Sequence, residues 1–238
     1  MKTPALEPPR RFYKAAGVAP VENGHAVQLD GRTPKSPQGR PLVAPTEGLA
    51  RLIAGEWEAQ GERIIHADMP ATRLAFTALD SVPGAREAVA QEVAEYAGSD
   101  ALCYRATHPS TLIARQAELW DPLLQWASSH LGAELRATSG VIHVGQDEGV
   151  LVRLRGRALA EDDFALAGLA FATSLFGSAV LAFAVRESRL GGAEAFELSR
   201  LEEIFQESQW GVDAEAAERT ARLARDADMV GAWFAALR

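Results

Sequence analysis

The chain is short of cysteine, of lysine and of large aromatic side chains, and each shortage removes a class of function. One cysteine, Cys103, among 238 residues excludes an internal disulfide framework and any cysteine-rich zinc site. That usage suits a reducing compartment. Lysine occurs only at Lys2, Lys14 and Lys35, and 24 basic residues against 32 acidic ones leave a net charge of −8. A nucleic-acid binder needs a basic footprint for phosphates, so that class is disfavoured. Aromatics make up 7% of the chain, whereas 45 residues are alanine. Much of the apolar fraction is therefore small and helix-favouring.

Catalytic and ligand-binding signatures are equally scarce. No Gly-Lys pair occurs, which excludes a phosphate-cradling P-loop of the GxxxxGK[ST] kind. GxGxxG, HExxH, GxSxG and CxxC are absent too. The five histidines (His25, His66, His108, His130, His143) are dispersed, with no two at metal-ligand spacing on one helical face. Neither a metal nor a cofactor is expected.

The run Phe164–Val185 holds no charged residue for 22 positions, long enough for a spanning helix. Its alanines, glycines, Thr173, Ser174 and Ser178 make it weakly hydrophobic. Gly177-Ser178 breaks it in the middle. Two buried helices, about 161–176 and 178–188, are expected rather than a membrane span. The Pro-rich start lacks the apolar stretch of a secretory signal and is too short for a transit peptide.

The pattern predicts an α+β protein: a small N-terminal antiparallel β meander (1–45) and a larger, mainly α-helical part (46–238). Asn23-Gly24 and Asp30-Gly31 are hairpin signals, because such pairs accept positive φ. His25–Leu29 alternates as a half-buried strand, Phe12–Val18 precedes it, and short strands at Thr33–Ser36 and Pro41–Val43 flank Gln38-Gly39. Prolines 34, 37 and 41 keep these last strands short or at an edge. From Thr46 the period becomes helical, with Leu49, Leu52, Ile53 and Trp57 on one face. Pro70 opens a second helix. Further helices are expected near 84–97, 110–131 (with Pro122 inside), 148–159, 193–209 and 213–235, with an extended segment at 136–144.

Charge is unevenly spread. Residues 1–40 carry +4, whereas 187–228 carry −6. The only thiol–imidazole pair for nucleophilic catalysis is Cys103 with His108, which would need contact and an orienting third group. A free cysteine between Leu102 and Tyr104 reads more simply as core. Neighbouring acids such as Glu202-Glu203 or Asp162-Asp163 point about 100° apart on a helix and do not form a facing dyad. Asp162-Asp163 suits a helix N-terminus. In 198–210, Leu198, Leu201 and Phe205 share one face, and Glu202, Gln206 and Gln209 share another. Trp210-Gly211 ends the helix. A polar stripe beside an aromatic residue suits a basic partner surface.

Several short motifs occur in one order along the chain. They are Arg11-Phe12-Tyr13-Lys14, Leu29-Asp30-Gly31-Arg32 with Thr33-Pro34, and Glu56-Trp57 with Gln60. Met69-Pro70 with Thr72, Asp100 with Leu102-Cys103-Tyr104-Arg105, and Gln116 with Trp120, Pro122 and Trp126 follow. Ser199-Arg200-Leu201-Glu202-Glu203 with Gln206 and Trp210-Gly211 completes the series. In this the chain resembles the F1-ATPase assembly chaperone family, which holds the free α subunit of ATP synthase before hexamer assembly. The resemblance implies a non-enzymatic protein with a small β part and a larger helical part. It implies a chaperone that binds α transiently, shielding it from aggregation until the β subunit takes its place. By position it makes Glu202, Glu203, Gln206 and Trp210 the expected partner contacts. Trp57, Gln60, Trp120 and Trp126 are expected to be architectural. A match that begins near residue 11, with a lone asparagine and abundant arginine and alanine, points to a bacterial homologue acting in the cytoplasm, and a client-capping protein most simply works as a monomer. The competing readings are a holdase or interaction module with another client, and an enzyme using Cys103 and His108.

Overall fold

The computed structural model describes residues 7–140, 142–211 and 213–238. Its architecture is a three-stranded antiparallel sheet at the N-terminus followed by a mainly helical part. The chain divides into two compact units, Met1–Gly84 with Ala236–Arg238, and Ala85–Ala235. The first compact unit holds the sheet together with two helices.

In the first unit β1 (Ala16–Val21), β2 (Gly24–Leu29) and β3 (Val43–Ala44) lie in the order β1-β2-β3. β1 starts later than the pattern suggested, because the Asp30 carboxylate takes the N–H groups of Lys14 (3.0 Å) and Ala15 (3.0 Å). Asp30-Gly31 forms the expected turn, with φ of +48° and +80°, and Leu29 and Arg32 exchange both backbone hydrogen bonds across it. The β1–β2 hairpin turns on Glu22-Asn23, and Gly24 already belongs to β2. The proline-rich stretch contributes only a Lys35–Pro41 bridge and the two-residue β3.

Against the sheet packs α1 (Glu47–Glu58), whose N-cap Thr46 accepts a hydrogen bond from the Leu49 N–H at 3.2 Å. Leu49, Ile53 and Trp57 are its buried stripe. The Thr46 hydroxyl donates in turn to the Ala236 carbonyl, which ties the last residues of the chain to this unit. Pro70 opens α2 (Pro70–Asp80) as its first residue.

The second unit runs through α3 (Arg86–Gly98), β4 (Tyr104–Arg105), α4 (Ser110–Trp126), β5 (Thr138–Ser139) and α5 (Glu148–Leu159). It continues with α6 (Asp163–Phe176), α7 (Ala179–Arg186), α8 (Gly192–Ser199), α9 (Leu201–Trp210) and α10 (Ala214–Ala236), whose final residue belongs to the first unit. Of the extended segment expected at 136–144, only β5 forms, parallel to β4, and Val141 lies outside the described residues. After α4 one widened turn, 127–131, ends at Gly132 in the left-handed conformation.

The uncharged run is α6 and α7. Gly177 (φ +62°) ends α6, and Ser178 caps α7 by accepting from the Leu181 N–H at 3.0 Å. Among the described residues no helix is long and apolar enough to cross a membrane. Asp162 caps α6 through the N–H groups of Phe164 (2.8 Å) and Ala165 (2.9 Å), while Asp163 pairs with Arg86. The small side chains have a geometric use. At Gly192 a Cβ would sit 1.9 Å from the Ala227 carbonyl oxygen, so α8 meets α10 backbone to backbone.

The helix expected over 193–209 is two helices, broken at Arg200 (φ −110°, ψ 22°). One carbonyl is taken from the helical ladder: the Trp120 indole donates to that of Leu198 (3.0 Å). The Phe196 carbonyl keeps its bond from the Arg200 N–H (3.2 Å) and also accepts from the Ser199 hydroxyl (2.8 Å). Leu198 and Leu201 are both buried, but they lie on different helices.

Candidate partner-binding site

The eight residues singled out in the sequence separate by burial and by unit. Trp57 and Gln60 lie in the first unit, where they join three of the sequence motifs. The Tyr13 hydroxyl donates to the Trp57 carbonyl (2.5 Å), with the two rings edge to face at 5.9 Å. The Gln60 amide donates to the Glu56 carbonyl (3.1 Å) and accepts from the Ile65 N–H (2.7 Å). Arg11 closes the end of α1 through the carbonyls of Glu58 (3.0 Å) and Gln60 (2.5 Å). These motifs build the first unit's architecture.

In the second unit Trp120 is buried, and Trp126 is half-buried, stacked on His130 at 5.5 Å with the Arg189 guanidinium 5.8 Å from its ring centre. Asp100 is wholly buried and organises the region around Cys103. It accepts from the N–H groups of Leu102 (3.1 Å) and Val180 (3.0 Å), and burial lifts its carboxyl to about 6. The Cys103 thiol is also buried. Desolvation, with the nearby Asp100 charge adding to it, pushes the thiol up to about 12. Such a group stays protonated at neutral pH and is a poor nucleophile. His108 is exposed and sits beside the Thr107 hydroxyl (3.1 Å). The geometry does not support the thiol–imidazole reading. Among the described residues no cluster of three or more His, Cys, Asp or Glu side chains could hold a metal.

Glu202, Glu203, Gln206 and Trp210 all lie on α9. Glu203, Gln206 and Gln209 are exposed, and Trp210 is 80% exposed at the helix end, which Gly211 (φ +83°) terminates. A tryptophan so fully in water gains nothing from folding, and large exposed aromatics beside polar groups are typical anchors of binding surfaces. Glu202 differs from the other three. It is half-buried, and its Oε1 accepts from the side-chain amide of Gln116 at 2.7 Å.

Gln116 has no exposed surface. Its amide oxygen accepts from the Ala106 N–H (2.8 Å), and its carbonyl accepts from Arg105 (2.9 Å), which also pairs with Asp121 (2.7 Å). Contacts of Gln116 with Glu202 and of Trp120 with Leu198 show that α4 passes antiparallel to the Leu198–Glu202 segment. On α4, Ile113 lies one turn from Gln116 on the same side and is 38% exposed. The role of Gln116 was not read from the sequence. The available signal was a lone amide among the apolar positions Leu112, Trp120 and Leu123.

Comparison with known proteins agrees with this architecture. Residues 10–128 match the model of the family described as ATP12 chaperone protein. The mitochondrial protein atp12 of Schizosaccharomyces pombe is 27% identical over 215 residues, covering 85% of this chain and 74% of that protein. The crystal structure of Atp12 from Paracoccus denitrificans is 41% identical and superposes with a TM-score of 0.89, over 97% of this chain and 99% of that one. An aspartate-to-lysine mutant of the P. denitrificans protein gives the same TM-score and identity over 98% of its chain. The Atu1473 protein of Agrobacterium tumefaciens is 39% identical with a TM-score of 0.90, over 97% and 87% of the two chains. The chain described here belongs to the ATP12 chaperone family.

Proposed function

We propose that the protein binds the free α subunit of F1-ATP synthase, one chain per α subunit, and keeps it from aggregating until the β subunit takes its place. We place this action in the bacterial cytoplasm, with no nucleic acid, membrane or cofactor involved. Membership of the chaperone family supports the reading. The observation that carries its location is Trp210, 80% exposed at the end of the stripe formed by Glu202, Glu203 and Gln206.

The physical logic follows from what an unassembled subunit exposes. A face destined for a partner subunit is largely apolar and, uncovered, pairs with itself. A chaperone for it needs an aromatic anchor for apolar surface and acids or amides for basic side chains around it. It also needs modest affinity, so that the true partner displaces it. The α9 stripe has those elements.

The test is to refold purified F1 α subunit with and without an equimolar amount of the protein, following light scattering and then gel filtration. Suppressed scattering and a stoichiometric complex are expected. Equal aggregation in both samples, with no complex eluting, would sink the proposal.

A further inference from the structure

We infer that Gln116 is a positioning residue for client binding, holding Glu202 in the orientation in which it meets the partner; this rests on the reading of the α9 stripe as the docking face. Glu202 stands in that stripe, yet one of its carboxylate oxygens is already engaged inside the protein. The donor is the Gln116 side chain, 86 positions earlier in the chain and fully buried on α4. A glutamate free on a helix surface samples many rotamers and loses that freedom when a partner fixes it. With Oε1 held at 2.7 Å, Glu202 has already given up that freedom before any partner arrives. Among the described residues no hydrogen bond reaches its other oxygen, Oε2, which leaves that oxygen available to a guanidinium or amide of the client.

The holder is itself fixed. The Gln116 amide oxygen takes the Ala106 N–H at 2.8 Å, so the amide nitrogen must turn to Glu202. Its backbone carbonyl takes the Arg105 guanidinium, which is anchored to Asp121 and lies 5.2 Å from the centre of the Trp120 ring. One turn along α4, the Trp120 indole holds the Leu198 carbonyl at 3.0 Å. Two buried donors on successive turns of one helix thus set both where α9 begins and how its first acidic side chain points.

The test is a double-mutant cycle, with affinity for purified F1 α subunit and thermal unfolding measured on the same proteins. Gln116→Leu is expected to weaken binding about tenfold, the usual consequence of losing one charge-assisted hydrogen bond. Combined with Glu202→Ala it should bind no worse than Glu202→Ala alone. If the two effects on affinity multiply independently, or Gln116→Leu binds as the parent does, the positioning role is overturned even where unfolding shows coupling. Should Gln116→Leu fail to fold, exchanging the pair decides the matter. Gln116→Glu sets two carboxylates against each other and should lower the melting temperature. Adding Glu202→Gln should restore the melting temperature but not the binding. An exchanged pair that binds like the parent overturns the proposal. A Glu202→Ala variant with parental affinity would instead remove the docking-face reading on which the proposal rests.

Discussion

The Glu56 carboxylate and Thr72, sixteen positions apart, are joined by two hydrogen bonds of 2.7 Å, one from the Thr72 N–H and one from its hydroxyl. A third, from the Ala71 N–H at 2.7 Å, reaches the other carboxylate oxygen. A side chain near the end of α1 therefore caps the start of α2, whose own N-cap residue, Met69, offers no side-chain acceptor. The Glu56-Trp57 and Met69-Pro70-Thr72 motifs form one structural joint.

Replacing Glu56 by alanine strips that joint. Two buried N–H groups lose their acceptor and the α2 N-terminus loses a compensating charge, at a cost of about 2 kcal/mol. Denaturant titration should show a lower midpoint, while the fraction that stays folded binds client normally. Parental stability would mean that water replaces the carboxylate without loss.

Asp100 makes stability depend on pH in a stated direction. Burial raises its carboxyl from 3.8 to about 6, against the opposing pull of the Ser178 side chain and the N–H groups of Val180 and Leu102. Between those values the folded protein holds a proton that the unfolded chain has released. Stability from this group therefore falls as pH rises through that window, by up to about 3 kcal/mol, and is level above it. The difference in unfolding free energy between the parent and Asp100→Asn, measured from pH 4 to 7.5, should shrink up to about pH 6 and then flatten. A difference that stays constant across the range contradicts this assignment.

Gly192 and Gly191 form an internal control. A methyl group at Gly192 would meet the Ala227 carbonyl oxygen at 1.9 Å, whereas at Gly191 nothing lies within 4 Å. Gly192→Ala should push α8 off α10 and cost more than about 2 kcal/mol. Gly191→Ala, which only replaces glycine at the N-cap of α8, should cost no more than about 1 kcal/mol. Similar melting temperatures for the two variants would show that the helices separate without penalty.

Trp210→Ala and Glu203→Lys probe the docking stripe without touching the core. Both side chains are exposed, so stability should change by less than about 0.5 kcal/mol. Affinity for F1 α subunit should fall about tenfold or more for each, read by titration calorimetry. Parental binding by both variants would move the site away from the end of α9.

Local chemistry made much of the fold legible. Asp30-Gly31 turns where two positive φ angles are needed, Thr46 caps α1, Pro70 opens α2, and Gly177 divides the uncharged run. Each of these depends on one to four neighbouring residues, which is the range that propensity and capping rules cover. The late start of β1 and the break at Arg200 were not legible. Both arise because a backbone group is taken by a distant partner, Asp30 in one case and the Trp120 indole in the other. The stripe on α9 was visible as a spacing, but the inward turn of Glu202 was not.

The sequence by itself determined the classes of chemistry open to this protein. One cysteine rules out an internal disulfide framework, and dispersed histidines and a net charge of −8 disfavour a histidine metal motif and a nucleic-acid footprint, while its ordered motifs indicate the family. Only the tertiary structure decided which of the polar residues in 199–210 face solvent and which are held. That choice depends on hydrogen bonds between residues 78 and 86 positions apart. No local pattern encodes such a pairing, because it exists only once α4 and α9 have packed.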